Sequence, residues 1–251
     1  MIKDLMAGHL GEGEFVMFLQ SKHDAKTGKI SGAEALSRYK RADGTILTPD
    51  KFIDLLEEEK LIHELDFAML DLACGFLSVI EEKGIHVPIS VNFSKVTLEL
   101  DNFLETFYNI IKPYNIPPQF IEIEITELHR FSSVTQMGDV IRNLRSHGYL
   151  VSIDDYGKNS SAFSIIRHVD VDVLKIDREI ITESVEQDKT KLIFKSVVDL
   201  SKKLNISVVA EGVETERQLE ITREIGCDSI QGWYFSKAVP SEEFLQTLLT
   251  A

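Results

Sequence analysis

Two adjacent aspartates, Asp154-Asp155, close a short apolar run, and the same arrangement recurs along the chain. Val- and Ile-rich segments end in an acid, an amide or an amine. Glu34 is followed by Ala35-Leu36 and then Arg38. Asn92 lies in Val91-Asn92-Phe93-Ser94. Glu124 and Glu127 belong to Glu122-Ile123-Glu124-Ile125-Thr126-Glu127. Lys175-Ile176-Asp177, Ala210-Glu211-Gly212-Val213-Glu214 and Gln231-Gly232-Trp233 complete the series. One acid at the end of such a run is ordinarily a helix cap or a solvated loop residue. Many converging on one place would repel and could not all stay ionised without a counter-charge. A divalent cation supplies that charge. A donor set of Asp, Glu and Asn oxygens favours Mg²⁺ or Mn²⁺ over Zn²⁺. Neighbouring Asp154 and Asp155 could each face a different ion. That suits a pair of cations roughly 3.5–4 Å apart, the arrangement used for in-line attack on phosphate esters.

Such convergence needs a scaffold. The runs Phe15–Lys22, Ile30–Tyr39, Val87–Ser94, Phe120–Thr126, Leu150–Asp155, Asp172–Asp177, Ile206–Glu211 and Ser229–Tyr234 read as eight strands. Several are too continuously apolar for a half-exposed sheet, which fits parallel strands covered on both faces. Amphipathic stretches separate most of them. Leu61 to Lys83 stops at Gly84, Val134–His147 at Gly148 and Glu214–Ile225 at Gly226, each a plausible helix end. Thr48 before Pro49 reads as an N-cap with proline at the first helical position. Arg178–Leu204 reads as one long helix, and Ser241–Leu249 closes the chain.

Only about seven residues, including Thr27-Gly28, separate the first two runs. A parallel crossover needs a dozen or more, so these two strands are expected to form an antiparallel hairpin. The resulting expectation is an α/β fold, a TIM-like (β/α)8 barrel with the first strand antiparallel to the others. Residues 1–14 would be a lead-in segment and 15–251 the barrel. An open doubly wound sheet is the rival architecture. In the barrel, the residues above stand at the C-terminal ends of the strands, where such folds place their active sites.

Composition narrows the partners. The chain has 251 residues and a net charge of −14. Eight acids of the presumed mouth (Glu34, Glu124, Glu127, Asp154, Asp155, Asp177, Glu211, Glu214) account for more than half of that excess. The acidity argues against binding duplex DNA or RNA and against docking on anionic lipid. No apolar run reaches the ~18 residues of a membrane span, so membrane insertion is not expected. Two cysteines, Cys74 and Cys227, make no disulfide framework. With no secretion signal visible, a cytoplasmic location is expected; tethering through a partner stays open.

Taken in order, Glu34-Ala35-Leu36-x-Arg38, Val91-Asn92-x-Ser94, Glu124-x-Thr126-Glu127, Asp154-Asp155-x-Gly157, Lys175-Ile176-Asp177, Ala210-Glu211-Gly212-Val213-Glu214 and Gln231-Gly232 resemble the EAL-domain family of bacterial cyclic-di-GMP phosphodiesterases. The resemblance runs from about Phe15 to Pro240. It implies a barrel with a reversed first strand and hydrolysis of cyclic-di-GMP to linear pGpG with two Mg²⁺ or Mn²⁺ ions. By the same resemblance Glu34, Asn92, Glu124 and Asp154 match the ligands of one metal. Asp154, Asp155 and Glu211 match those around the second. Lys175 matches the lysine that contacts the attacking water. Gln231 and Glu214 match supporting residues, and Glu127 matches the glutamate that holds the loop after the fifth strand. Arg38 matches the arginine near the substrate phosphate, with Leu36 and Asp177 beside the same substrate. Trp233 could stack on guanine or sit in the core.

The loop after the fifth strand departs from the family. It usually reads Asp-Asp-Phe-Gly-Thr-Gly-Tyr-Ser-Ser-Leu, and here it reads Asp154-Asp155-Tyr156-Gly157-Lys158-Asn159-Ser160-Ser161-Ala162-Phe163. Asn159 replaces a glycine, and Asn is the residue that best tolerates positive φ after Gly. In the family this loop couples the site to a dimer interface, so a homodimer counts among the expected partners. Ser21 also stands where a proline commonly follows the glutamine, here Gln20. The altered loop leaves open a domain that binds cyclic-di-GMP and signals without turnover. A different Mg²⁺-dependent barrel lyase or phosphatase is the third reading. Other motifs fail: His63-Glu64 has Phe67 where a zinc-protease helix needs a second histidine, and no G-x-S-x-G elbow occurs.

Overall fold

The computed structural model describes residues 2–125, 134–157 and 169–250. Ten strands make one sheet: β1 (Gly13–Asp24), β2 (Ile30–Arg41), β3 (Ile46–Leu47), β4 (Ile89–Phe93), β5 (Ile121–Ile125), β6 (Leu150–Tyr156), β7 (Val173–Ile176), β8 (Ser207–Ala210), β9 (Ser229–Gln231) and β10 (Val239–Pro240). The order β1-β9-β8-β7-β6-β5-β4-β2 closes through a β1–β2 pairing into an eight-strand barrel, with β3 and β10 as short additions. β1 is antiparallel to both neighbours, and every other barrel pair is parallel. The reversed strand follows from the hairpin. Asp24 Oδ1 accepts from the Thr27 backbone N–H (2.7 Å), the Gly28 N–H reaches Asp24 O (2.8 Å), and Gly28 takes φ +72.

Helices cover the outside: α1 (Ile2–Leu10), α2 (Ile53–Glu58), α3 (Ile62–Glu81), α4 (Lys95–Leu98), α5 (Phe103–Ile111), α6 (Val134–Ser146), α7 (Arg178–Glu186), α8 (Asp188–Lys203), α9 (Glu216–Ile225) and α10 (Ser241–Thr250). Alternation along the strands divides the molecule. Ile89, Val91 and Phe93, Ile121, Ile123 and Ile125, and Leu174 and Ile176 are buried in the hydrophobic core. The residues between them, Ser90 and Asn92, Glu122 and Glu124, and Lys175, face the barrel interior. In β4, β5 and β7 both faces are therefore buried while the inward one is polar.

Several local expectations change. The single helix over 178–204 is two, because Gln187 takes an extended conformation (φ −122, ψ 108) and α8 restarts at Asp188. The last strand ends at Gln231 rather than Tyr234. The chain turns there, with the Tyr234 N–H donating to Val213 O (2.9 Å) and the Phe235 N–H to Gly232 O (3.1 Å). Pro49 opens a single 3₁₀ turn, and the Thr48 side chain bonds Asp50 rather than capping the backbone. The lead-in segment forms α1 and buries Met6 completely. Among the described residues no helix is long and apolar enough to cross a membrane. Burial pushes the Cys74 and Cys227 thiols up to about 12, which keeps both unreactive.

Asp66 on α3 is a buried acid that ties helix to barrel. Its Oδ2 accepts from the Ser94 N–H (2.8 Å) and the Thr97 hydroxyl (2.6 Å), fixing the turn between β4 and α4. Burial raises its carboxyl to about 6 despite these bonds. The folded state therefore holds this proton more tightly than the unfolded chain. Its ionisation costs stability as pH rises from about 4 to 6, and the cost is fully present above that. One pKa unit is ~1.4 kcal/mol. We expect Asp66→Asn, which retains an acceptor, to gain on the order of 3 kcal/mol relative to wild type between pH 4 and pH 7. Urea unfolding at the two pH values reads this directly; parallel curves for the two proteins would refute it.

Candidate functional site

The strand ends place their polar side chains around Lys175. Its Nζ lies 2.7 Å from Glu211 Oε1, 3.4 Å from Glu34 Oε2 and 3.5 Å from Asp154 Oδ1, and it also contacts Glu124 Oε1. Lys175 and Glu124 are completely buried, and Glu34 nearly so. Glu34, from β2, is the most heavily bonded acid of the group. Asn92 Nδ2 donates to its Oε1 (2.8 Å), and Gln231 Nε2 donates to its Oε2 (2.6 Å). Gln231 also donates to Gln20 Oε1 (3.2 Å), and Gln20 in turn reaches Ser236 O (3.1 Å). Seven of the eight barrel strands, β1, β2, β4, β5, β6, β7 and β9, carry a group of this cluster, and Glu211 follows β8 directly.

The acids do not share one electrostatic fate. Burial works to raise Glu34, but the Lys175 and Lys22 ammonium groups and the two amides hold it down at about 2. Burial and the neighbouring Glu34 push Glu124 up to about 8, against the pull of Lys175. Burial, with Asp154 and Glu34 nearby, also raises Glu211 well above the usual carboxylate range, in spite of Lys175. Lys175 and Lys22 together do not compensate this many carboxylates.

A hard cation fits what remains. Glu34, Glu124 and Glu211 each offer an oxygen, and these lie within 4.8 Å of one another. Glu124 Oε2 and Asp154 Oδ1 are buried without a hydrogen-bond partner among the described residues. An all-oxygen donor set with acceptors lacking hydrogen-bond donors is chemistry that hard divalent cations prefer. Asp154 and Asp155 lie where the β6–β7 register shifts, between Ile153 and Tyr156. Asp155 takes φ +54 there. This bulge breaks the strict alternation that would send adjacent side chains to opposite faces.

Two pockets adjoin at Glu34. One, of ≈ 270 Å³, is walled by Asp154, Lys175, Asp177, Arg178, Glu211, Glu214, Gln231 and Trp233. The other, of ≈ 320 Å³, is more apolar and includes Leu36, Pro49, Ile53, Met69 and Asn92. Asp177 also caps α7, its Oδ1 accepting from the Glu179 N–H (2.7 Å). Arg38 lies outside both lining sets and stacks 5.5 Å over the Phe18 ring. Glu214 sits 3.5 Å from Arg178 at the rim. Trp233 is not core: it is 60% exposed, with Lys237 Nζ 4.8 Å from its ring centre. Glu127 and the divergent positions Lys158 to Phe163 lie outside the described residues.

Sequence reasoning gave no role in the site to Gln20, Lys22 or Arg178. The first two could have been found by parity, since they share the inward face of β1. The turn at Gly232 sets the rim. A Cβ there would stand 2.1 Å from Val213 O and 2.4 Å from Val213 N, a clash with backbone that cannot swing aside. We expect Gly232→Ala to cost on the order of 2–4 kcal/mol. It should also displace Trp233 and Gln231, seen as a lowered Tm and altered Trp fluorescence. A Tm within a degree of wild type would show that the turn has slack.

The EAL domain model matches residues 4–238. The signaling protein YkoW of Bacillus subtilis is 31% identical over 94% of this chain and 29% of its own length. The probable cyclic di-GMP phosphodiesterase PdeB of Escherichia coli is 33% identical over 87% of this chain and 42% of its own length. The chain thus spans less than half of these relatives. The solved PaMucR phosphodiesterase in complex with c-di-GMP superposes with a TM-score of 0.85 at 29% identity, over 92% of this chain and 94% of that one.

Proposed function

Because the chain belongs to the EAL domain family, we propose that it is a divalent-metal-dependent phosphodiesterase that opens cyclic-di-GMP to linear pGpG. The observation that carries this reading is the group of buried Glu34 and Glu124 with the partly buried Glu211, whose oxygens lie within 4.8 Å of one another. In the proposal Glu34, Asn92, Glu124 and Asp154 hold one Mg²⁺ or Mn²⁺, and Asp154, Asp155 and Glu211 surround a second. Such ions lower the pKa of a water and neutralise charge on a phosphate ester.

The chain's own groups do the rest. Lys175, fixed by four carboxylates, orients the attacking water and stabilises charge that develops on the phosphate. Arg38 offers a guanidinium to a phosphate oxygen in a charge-assisted bond. Leu36 provides apolar wall for one base, and the exposed Trp233 ring provides a stacking face for the other. Gln231 and Asn92 keep Glu34 aimed inward, while Asp177 and Glu214 line the approach. Glu127 supports the loop after β6. A cytoplasmic site of action and a homodimer joined through that loop belong to the same proposal.

The test is direct. Purified protein is incubated with cyclic-di-GMP and Mg²⁺, Mn²⁺ or Ca²⁺, and the products are resolved by chromatography. The expected result is pGpG with Mg²⁺ or Mn²⁺. Nucleotide binding without product under every metal would favour the second reading, a silent cyclic-di-GMP receptor, which the substitutions at Lys158, Asn159 and Ser160 support. Cleavage of simple phosphomonoesters instead would refute both.

A further inference from the structure

Below the site the barrel interior carries a second polar layer. Such interiors are ordinarily filled with branched apolar side chains. Here the register turns Lys22, Ser90, Glu122 and Ser152 inward, and all four are buried. Lys22 Nζ lies 3.0 Å from Glu122 Oε1 and 4.0 Å from Glu124 Oε2. Gly32, the β2 partner of Lys22, presents no side chain. A Cβ there would stand 3.3 Å from Pro88 O and in ordinary contact, 3.6 Å, with Lys22 Cδ, so the lysine stem lies alongside this glycine. Glu124 Oε2, the oxygen on the Lys22 side, has no hydrogen-bond partner among the described residues. Its other oxygen contacts Lys175.

Desolvating a lysine and a glutamate together is costly, and an apolar pair of similar volume would hold the strands as well or better. What an apolar pair would not provide is a fixed positive charge under Glu124. We propose that Lys22 is a positioning residue of the cation site: anchored by Glu122, it holds the Glu124 carboxylate from below while Lys175 holds it from the side. Glu124 is thereby presented to a divalent cation with one orientation. The inference rests on the metal-dependent reading above. It assigns a role to two residues, Lys22 and Glu122, to which the reading of the strand-end motifs gives none.

The experiment is a calorimetric titration of the nucleotide-free protein with Mn²⁺, accompanied by thermal melts. Lys22→Met is expected to weaken Mn²⁺ binding about tenfold or more, as outer-shell substitutions do. It should also lower Tm, because Glu122 is left buried and unpaired. The double variant Lys22→Met/Glu122→Leu removes both charges. It is expected to regain most of the lost Tm while its Mn²⁺ affinity stays weak, a separation that a merely structural pair would not produce. Wild-type affinity in either variant overturns the inference. A wild-type protein that takes up no Mn²⁺ would refute the metal reading and this inference with it. Binding by wild type and variants alike would refute this inference alone.

Discussion

Glu34→Ala is expected to reduce cyclic-di-GMP hydrolysis by about a thousandfold or more, ~4 kcal/mol of transition-state stabilisation. Three donors converge on this carboxylate: Asn92 Nδ2 at 2.8 Å, Gln231 Nε2 at 2.6 Å and Lys175 Nζ at 3.4 Å. Alanine removes a proposed ligand and leaves those donors without their acceptor. Glu34→Gln is no milder. Both carboxylate oxygens accept hydrogen bonds, so an amide must turn its NH₂ toward Asn92 or Gln231, donor against donor. Both variants should retain nucleotide binding through Arg38 and the Trp233 rim, which equilibrium dialysis with Ca²⁺ present can measure. Their acid response should differ from wild type as well. A carboxyl held near 2 contributes stability above its unfolded value of about 4.5, and that contribution is lost as pH falls from there toward 2. Both variants should therefore lack this part of the acid transition. Turnover within tenfold of wild type with Mg²⁺ would remove Glu34 from the metal site and the proposed mechanism with it.

The residues that make this argument were partly visible in the chain itself. In Ile121-Glu122-Ile123-Glu124-Ile125 the alternation assigns apolar residues to the helices and acids to the barrel interior, and the burial of all five follows. The antiparallel first strand was legible because a loop of a few residues cannot make a parallel crossover. Other features depend on partners far along the chain. Lys22 meets Glu122 one hundred residues away; parity along β1 turns it inward but does not name that partner. Asp66 reads as a polar interruption of an apolar helix until Ser94 and Thr97 are brought to it. The break at Gln187 has no glycine or proline to announce it, and amphipathic spacing runs through it. The start of α9 did have a local sign: Thr215 and Gln218 form a reciprocal capping box, which places the helix start at Glu216 and frees Glu214 for the rim.

Lys175→Met should separate two roles that one ammonium group combines. At the centre of Glu34, Glu124, Asp154 and Glu211 it is the main counter-charge of the cluster. Breaking a buried ion pair from one side costs ~3–5 kcal/mol, so the metal-free variant should melt well below wild type. The sign with pH is fixed by the acids. Carboxyls raised by burial, Glu124 at about 8 among them, penalise folding above their raised values and not below the unfolded value of about 4.5. The Tm deficit should therefore narrow as pH falls from 8 toward 5. Saturating Mg²⁺ should narrow it too, since a divalent cation replaces the missing charge. Rate should not recover with stability. If Lys175 orients the attacking water, turnover stays ~10²–10³-fold low at saturating Mg²⁺ while KM changes little. Recovery of both Tm and kcat with Mg²⁺ would reduce Lys175 to a stand-in for the cation and leave the chemistry to the carboxylates alone.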